Sequence, residues 1–426
     1  MPALSDDPLG IVAGYLEETD QRVMRQFDAL MHRSVDPQIK VLTVNGRDAC
    51  ALWIRPNALR ALRELRLTHC GNAELIDLAA VLKTLRKRPF ALILDQKANT
   101  VVSARGLDAL AEMTFSGITL RGANLAADAA QALARGASPV SISLPRQHFL
   151  LTQELFPFLQ IRTLRSLDAG LRSLPDNFGP VVASHECLTH FSISIIGSEA
   201  FHDIAKSTTI ESLSFEYIER DEVAALAALT GNSALRSLEI GFIRKPDTLA
   251  ALSRNSSLRS VTLGLLRNAH FGFSHLANMP GLEALSLRRA STCTKLLNAE
   301  HVRALCTKTF TSLSLHEWDI EVAAQALIAA TSTQHLSLNH PVPFSDAAIS
   351  TISTNAAIAS LSLGGGIITA AHAITLAGSP TLQQLKVGSG ANFSVDAKTA
   401  IANAWRAAHK PLVNLQLRAS VLNIER

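Results

Sequence analysis

The sequence predicts an α/β solenoid of about sixteen strand–helix repeats, with one parallel sheet on the concave side and helices on the convex side. Three observations predict it. A pattern of apolar residues, Leu62-x-x-Leu65-x-Leu67-x-x-Cys70, returns along the chain. Its copies are nearly evenly spaced, and the segments between them carry helical periodicity.

The strand comes first. In Leu65-Arg66-Leu67 the two leucines share one face of an extended segment and Arg66 takes the other. Leu62 enters the core ahead of the strand, and Cys70 turns back into it as a small buried group that can serve turn backbone. Aligned on the position of Leu67, sixteen copies run from Val44 to Leu417, with successive gaps of 22 to 30 residues. A fixed period in the twenties is the signature of stacked units that bury a common core. At one strand spacing per copy, sixteen strands span roughly 70–80 Å.

The helix comes second. "DEVAALAAL" sets Val223, Leu226 and Leu229 three apart on one face, with Asp221 and Glu222 at the positive end. "IEVAAQALIAA" buries Val322, Ala323, Ala326 and Leu327 in the same way. Asn, Gly and Ser before the next leucine, as in "LTGNSALRSL" and "LSRNSSLRSV", stop each helix.

These residues resemble the leucine-rich repeat, and the resemblance covers roughly 380 of the 426 residues. The helical segments "AADAAQALARG" and "DEVAALAALTGN" are similar to those of the ribonuclease-inhibitor-like and bacterial GALA-type classes. GALA-type proteins are effectors of plant-associated bacteria that type III secretion delivers into host cells. The resemblance implies a non-catalytic scaffold with no cofactor. Its partner would be a host protein met in the host cytoplasm or nucleus.

Residues 1–36 precede the solenoid of 37–426. Ile11, Val12 and Leu16 form one apolar cluster, and Val23, Phe27, Leu30 and Met31 another at helical spacing. One reading is a helical cap over the open end of the first repeat, which solenoids require. In the other, "LSDDPLGIVAGYL" is similar to the start of an F-box motif, through Leu4, Asp7, Leu9, Val12 and Leu16. F-box segments dock Skp1, so that likeness implies an adaptor placing Leu4, Leu9, Val12 and Leu16 against Skp1 of a ubiquitin ligase. A third class is a structural or self-assembling solenoid that pairs through the edge of its last strand, "LVNLQL".

Composition narrows the partner class. Net charge is +4, from 40 basic and 36 acidic residues, too balanced for the clustered basic face of a nucleic-acid binder. No run of 18 apolar residues predicts a membrane span, and "MPALSDDPLG" lacks the form of a Sec signal peptide. The five cysteines, Cys50, Cys70, Cys187, Cys293 and Cys306, are odd in number and form no CxxC pair, which favours a reducing compartment.

The search for catalytic chemistry finds no constellation. "HECLTH", from His185 to His190, has its second histidine at i+5 rather than the i+4 a zincin helix needs. The outward strand positions are rich in serine, in the pairs Ser141/Ser143, Ser212/Ser214, Ser312/Ser314 and Ser360/Ser362, a small neutral face unsuited to acid–base work. Charge and aromaticity gather just past the strand leucines of nearby copies: Glu216, Tyr217, Phe242, Arg288, Arg289 and His316. On a rigid scaffold such residues make a partner-binding rim, and Tyr and Arg are the types that dominate binding energy. Trp318 occupies the Asn/Cys position of its repeat and reads as core.

Overall fold

The computed structural model describes residues 41–45, 63–68, 90–110, 115–125, 128–136, 139–144, 155–170, 173–245, 247–265, 272–289, 308–316, 333–339, 343–364, 368–388 and 393–417, with a few single positions between them. The N-terminal segment with Leu4, Leu9, Val12 and Leu16 lies outside the described residues. So do Cys70, Trp318 and the helical pattern at 320–330.

Two units divide the chain, residues 1–195 and 196–426. The first carries β1 (Val41–Asn45), β2 (Glu64–Thr68), β3 (Phe90–Val102), β4 (Phe115–Leu125), β5 (Ser141–Ser143), β6 (Ser166–Asp168) and β7 (His190–Ile196), which closes at the boundary. The second carries β8 (Ser212–Ile218), β9 (Ser237–Ile243), β10 (Ser260–Leu265), β11 (Ala284–Arg289), β12 (Ser312–His316), β13 (His335–Asn339), β14 (Ser360–Gly364), β15 (Gln384–Val387) and β16 (Leu415–Leu417). Within each unit every strand pairs in parallel with the next in chain order. Parallel neighbours need a crossover, and the helices that supply it pack against one another, as Ala104–Leu110 does on Ala129–Gly136. This is a leucine-rich repeat solenoid in each unit, as the repeat pattern predicts.

The register explains why the pattern is so regular. Phe215, Ile240, Leu263, Leu287, Leu315, Leu338, Leu363, Val387 and Leu417 are cross-strand partners in turn, so one column of core residues runs through the second unit. All of them are buried. Leu67, Leu94 and Leu120 form the equivalent column in the first unit, with Val44 the backbone register partner of Leu67. The outward serines, Ser141, Ser143, Ser212, Ser214, Ser312, Ser314, Ser360 and Ser362, are all half-buried on the opposite face. Helices lock onto the strands through large side chains. Phe201 of the helix Ser198–Ile204 meets Phe215 of β8 edge to face, with ring centroids 5.5 Å apart.

The helix in "DEVAALAAL" departs from expectation in two places. Asp221 caps it, accepting the Ala224 N–H at 3.3 Å, but Glu222 turns inward and is 3% exposed. Val223, expected on the buried face, is only half-buried. The α-helix covers only Glu222–Ala227 before tightening into a 3₁₀ turn over Ala228–Gly231. The buried face is therefore Glu222, Ala225, Leu226 and Leu229.

Several of the described turns into strands have their own hydrogen-bonding device. The Asn232 side-chain Oδ1 accepts from the Ala234 and Leu235 N–H groups at 2.9 and 2.8 Å, while its Nδ2 donates to Ala205 O and Ser207 O of the preceding repeat. Asn255 repeats the arrangement one level on, accepting from Ser257 and Leu258 and donating to Leu229 O and Asn232 O. His185 does the same with a ring. Its Nδ1 accepts the Cys187 and Leu188 N–H groups, so the Nε2–H donates to Ile161 O at 3.2 Å. "HECLTH" is therefore a strand-entry turn, with His190 exposed at the start of β7. Where the repeat lacks such a residue, a lysine reaches in. Lys410 Nζ donates to Ala377 O and Ser379 O over the Trp405 ring, and Lys308 Nζ donates to Met279 O. Burial lowers the pKa of both ammonium groups.

Two stability outcomes follow from this packing. Leu238→Ala, at a site 1% exposed, is expected to cost on the order of 2–5 kcal/mol in chemical denaturation, while Ser237→Ala stays near zero. Equal shifts for the pair would contradict the register. Asn255→Ala removes a buried amide that serves two turn N–H groups and two carbonyls. It is expected to cost on the order of 2–4 kcal/mol, and an unchanged denaturation midpoint would show the turn to be indifferent to its side chain.

Candidate functional site

Beneath the outward face of β8–β12, one irregularity sets the geometry. From Leu213 to Phe215 the side chains of β8 alternate in and out, but Glu216 and Tyr217 then both stay outside before Ile218 goes in. Strand β9 does the same with Gly241 and Phe242 between Ile240 and Ile243. Strand β10 has a single residue, Gly264, in that interval, and the pairing slips between Leu263 and Leu265. That is a bulge on β9: one extra residue, which pushes Phe242 out to 38% exposure.

The glycines are required by the same geometry. A Cβ on Gly264 would lie 1.7 Å from Gly241 O, and one on Gly241 would lie 2.8 Å from the Glu216 Cα. The backbones of β8, β9 and β10 therefore approach too closely here for a side chain. The result is a side-chain-free floor two strands wide, with Glu216 on the β8 side and Arg288 on the β11 side.

The six residues expected to form a rim beyond the strands lie instead within their last turns of backbone, inside β8, β9, β11 and β12. The strands run two residues further than the leucine pattern marks. Arg288 and His316 are register partners, Arg289 is paired with Leu265, and Glu216 adjoins Gly241. Tyr217 and Phe242 occupy equivalent places on adjacent strands. His316 is half-buried, and its Nε2 lies 2.7 Å from Ser314 Oγ.

Two further residues belong to this surface, and a third supports it from beneath. Glu239 is outward-facing on β9 and pairs with Arg288, Nη1 to Oε1 at 3.3 Å. Arg244, just beyond β9, sets its guanidinium carbon 4.7 Å from the Tyr217 ring centroid. Glu222 positions that arginine from below: both of its carboxylate oxygens accept from the Arg244 N–H at 3.4 Å. Burial is the largest influence on Glu222 and raises its pKa above the ordinary carboxylate value. The Thr248 hydroxyl, the Arg244 amide and the charges of Arg244 and Lys245 pull it down less strongly. Glu239 was legible as an acid between the hydroxyl positions Ser214 and Thr262. Glu222 was not, because an acid in a first helical turn ordinarily faces water.

Among the described residues no group of three or more His, Cys, Asp or Glu side chains is placed to hold a metal ion. The helical side has a hollow lined by Ser198, Glu199, His202, Asp203, Asp221 and Ala224. Several of its polar groups are committed. Asp203 pairs with Lys206, Asp221 caps its helix, and His202 Nδ1 lies 2.9 Å from Ser198 O. No described helix is long and apolar enough to cross a membrane.

No protein-family model matches the chain, and no curated protein matches it. Among solved structures it is similar to the one titled TLR13–ssRNA13 complex, with 16% identity over 87% of this chain and 57% of that one, TM-score 0.40. An internalin (inlF) from Listeria monocytogenes is 14% identical over 72% of this chain and 85% of its own, TM-score 0.32. The Toll–Spatzle complex of Drosophila is 11% identical over 82% and 62%, TM-score 0.32. The chain thus spans somewhat over half the length of the first of these.

The Glu222 environment fixes a pH dependence. Its folded-state pKa is raised, so its contribution to stability is full below the ordinary carboxylate value, about 4, and is lost as pH rises through the folded value. Glu222→Gln keeps an acceptor for Arg244 N–H and removes the buried charge. Its melting temperature is expected to exceed that of the parent at pH 7 and to converge with it near about pH 4. A parent more stable than the variant at pH 7 would reverse the assignment.

Proposed function

We propose that this chain is a non-catalytic protein-recognition scaffold whose partner docks on the outward face of β8–β12. The observation that carries the reading is the contrast across one face. On β8–β14 serine and threonine fill most of the first two outward positions of each strand, while Tyr217, Phe242, Arg244 and Arg288 gather around the glycine floor. Aromatic and arginine side chains supply most of the energy in protein interfaces, and a rigid sheet presents them without the cost of ordering a loop. Glu216, Arg289 and His316 complete the proposed contact surface. Four inter-strand steps separate β8 from β12, roughly 19 Å, enough for a helix or loop.

The likeness of the repeats to GALA-type effectors supports a finer reading, in which the protein acts inside a host cell after type III delivery and the partner is a host protein. The F-box-like stretch, with Leu4, Leu9, Val12 and Leu16, favours one specific alternative, an adaptor that recruits its partner to a Skp1-containing ubiquitin ligase. Affinity capture from eukaryotic lysate with the full chain separates the readings. A partner without Skp1 supports the plain scaffold, co-purifying Skp1 supports the adaptor, and recovery of the chain alone supports self-assembly.

An Arg288→Glu/Arg289→Glu variant is expected to fold normally and to weaken capture of that partner, more so at low ionic strength. Tyr217→Ala should weaken it at all salt concentrations. Unchanged affinity in both variants would move the binding surface elsewhere.

A further inference from the structure

The ion pair on this face spans three strands. Glu239 is on β9 and Arg288 on β11, with β10 between them. Their contact at 3.3 Å requires the arginine to lie back across β10. Its register partner there is Gly264, which offers no side chain to obstruct it. By register Glu239 stands in a run of hydroxyl-bearing residues, Ser214, Thr262, Ser286, Ser314, Ser337 and Ser362, before the row passes to Lys386 and Gln416.

We propose that Arg288 receives a carboxylate from the partner protein, and that Glu239 is its resting counter-ion, exchanged when that carboxylate arrives. This rests on the recognition reading above and names the chemistry of the partner: an acidic segment with an apolar side chain beside the acid. Four features carry it. The two side chains are 58% and 43% exposed, so water already satisfies both and the pair stabilises the fold little. The ionisable residues of β11 and the outward face of β12 are Arg288, Arg289 and His316, with no acid among them. A guanidinium presents two parallel donors to a carboxylate, and under a docked partner that pairing loses its competition with water. Phe242, 38% exposed and two strands away at roughly 10 Å, sits where the apolar neighbour of the acid would land.

The exchange gives Glu239 and Arg288 opposite signs, which a static ion pair would not. The test is selection of random displayed peptides on the full chain, followed by titration of the recovered peptides against variants. The expected peptides carry Asp or Glu beside an aliphatic or aromatic residue. Arg288→Gln should weaken them about tenfold or more, while Glu239→Gln should tighten them roughly two- to fivefold, the factor that a surface ion pair of this exposure corresponds to. Both variants should melt as the parent does, because neither group is buried. Peptides without acidic bias, or weakening by Glu239→Gln as by Arg288→Gln, would overturn the exchange and leave the scaffold reading intact. Failure to select any peptide, together with failure to capture a protein from lysate, would count against the scaffold reading itself and remove this inference with it.

Discussion

The hydrogen bonds in the described strand-entry turns are the constraint on which the stacking of the repeats depends. A leucine pattern explains why strands bury one face, but not why successive repeats stack at a fixed register. The amides of Asn232 and Asn255 supply that. Each closes its own turn with its oxygen and grips carbonyls of the repeat before it with its nitrogen. These carbonyls are buried away from water, and leaving them unpaired would cost more than any one apolar contact contributes. The position tolerates chemistry of another kind, provided that donors and acceptors balance. A neutral histidine at 185 meets the same demand with one nitrogen accepting and the other donating. Lys410 lacks an acceptor, so it serves only the carbonyls, with the indole of Trp405 beneath it.

That requirement explains what could be seen in the sequence. The strands were legible because their burial follows a period of two inside a repeat of twenty-odd residues. Leu238, Leu287 and their equivalents are buried, and Ser237 and Ser286 face out as that period demands. The asparagines were legible as helix stops, but their reach into the neighbouring repeat was not, since nothing local in "GNSAL" reveals which carbonyls lie across the stack. Lys308 and Lys410 carry no signal at all, because a lysine near a helix end ordinarily points to solvent. Glu222 misled for a related reason: the short helix that holds it tightens after one turn and rotates its buried face.

The candidate site was half legible. Residue types singled out Tyr217, Phe242, Arg288 and His316, but their setting depends on a bulge that no periodicity shows. One extra residue in β9 relative to β10 pushes Phe242 out, and the close backbone approach makes Gly241 and Gly264 obligatory. Glycine in a strand usually marks such an approach. Here it has a second effect. It clears the lane along which Arg288 reaches Glu239, so a packing necessity of the solenoid also shapes its surface.

A uniform solenoid has little means of telling partners apart, since repeated side chains on repeated strands give every segment of the face the same chemistry. Specificity has to arise where the repeat is broken. In the second unit several breaks fall together on β8–β11: the bulge, the close pair Gly241 and Gly264, the acid between Ser214 and Thr262 and the arginine that crosses a strand. A second close glycine pair, Gly364 and Gly388, and the change of the row to Lys386 and Gln416 come later. Further along, Ser286, Ser314, Ser337 and Ser362 continue as an unbroken line of small hydroxyls. Such a line suits close backbone approach and offers little energy for binding. On the proposed reading the division of labour is between a regular stretch that keeps the strands in register and an irregular stretch that would give one part of the sheet an address. The entry-turn hydrogen bonds make both compatible, because they hold the stack in register from the buried side while the outward side is free to vary.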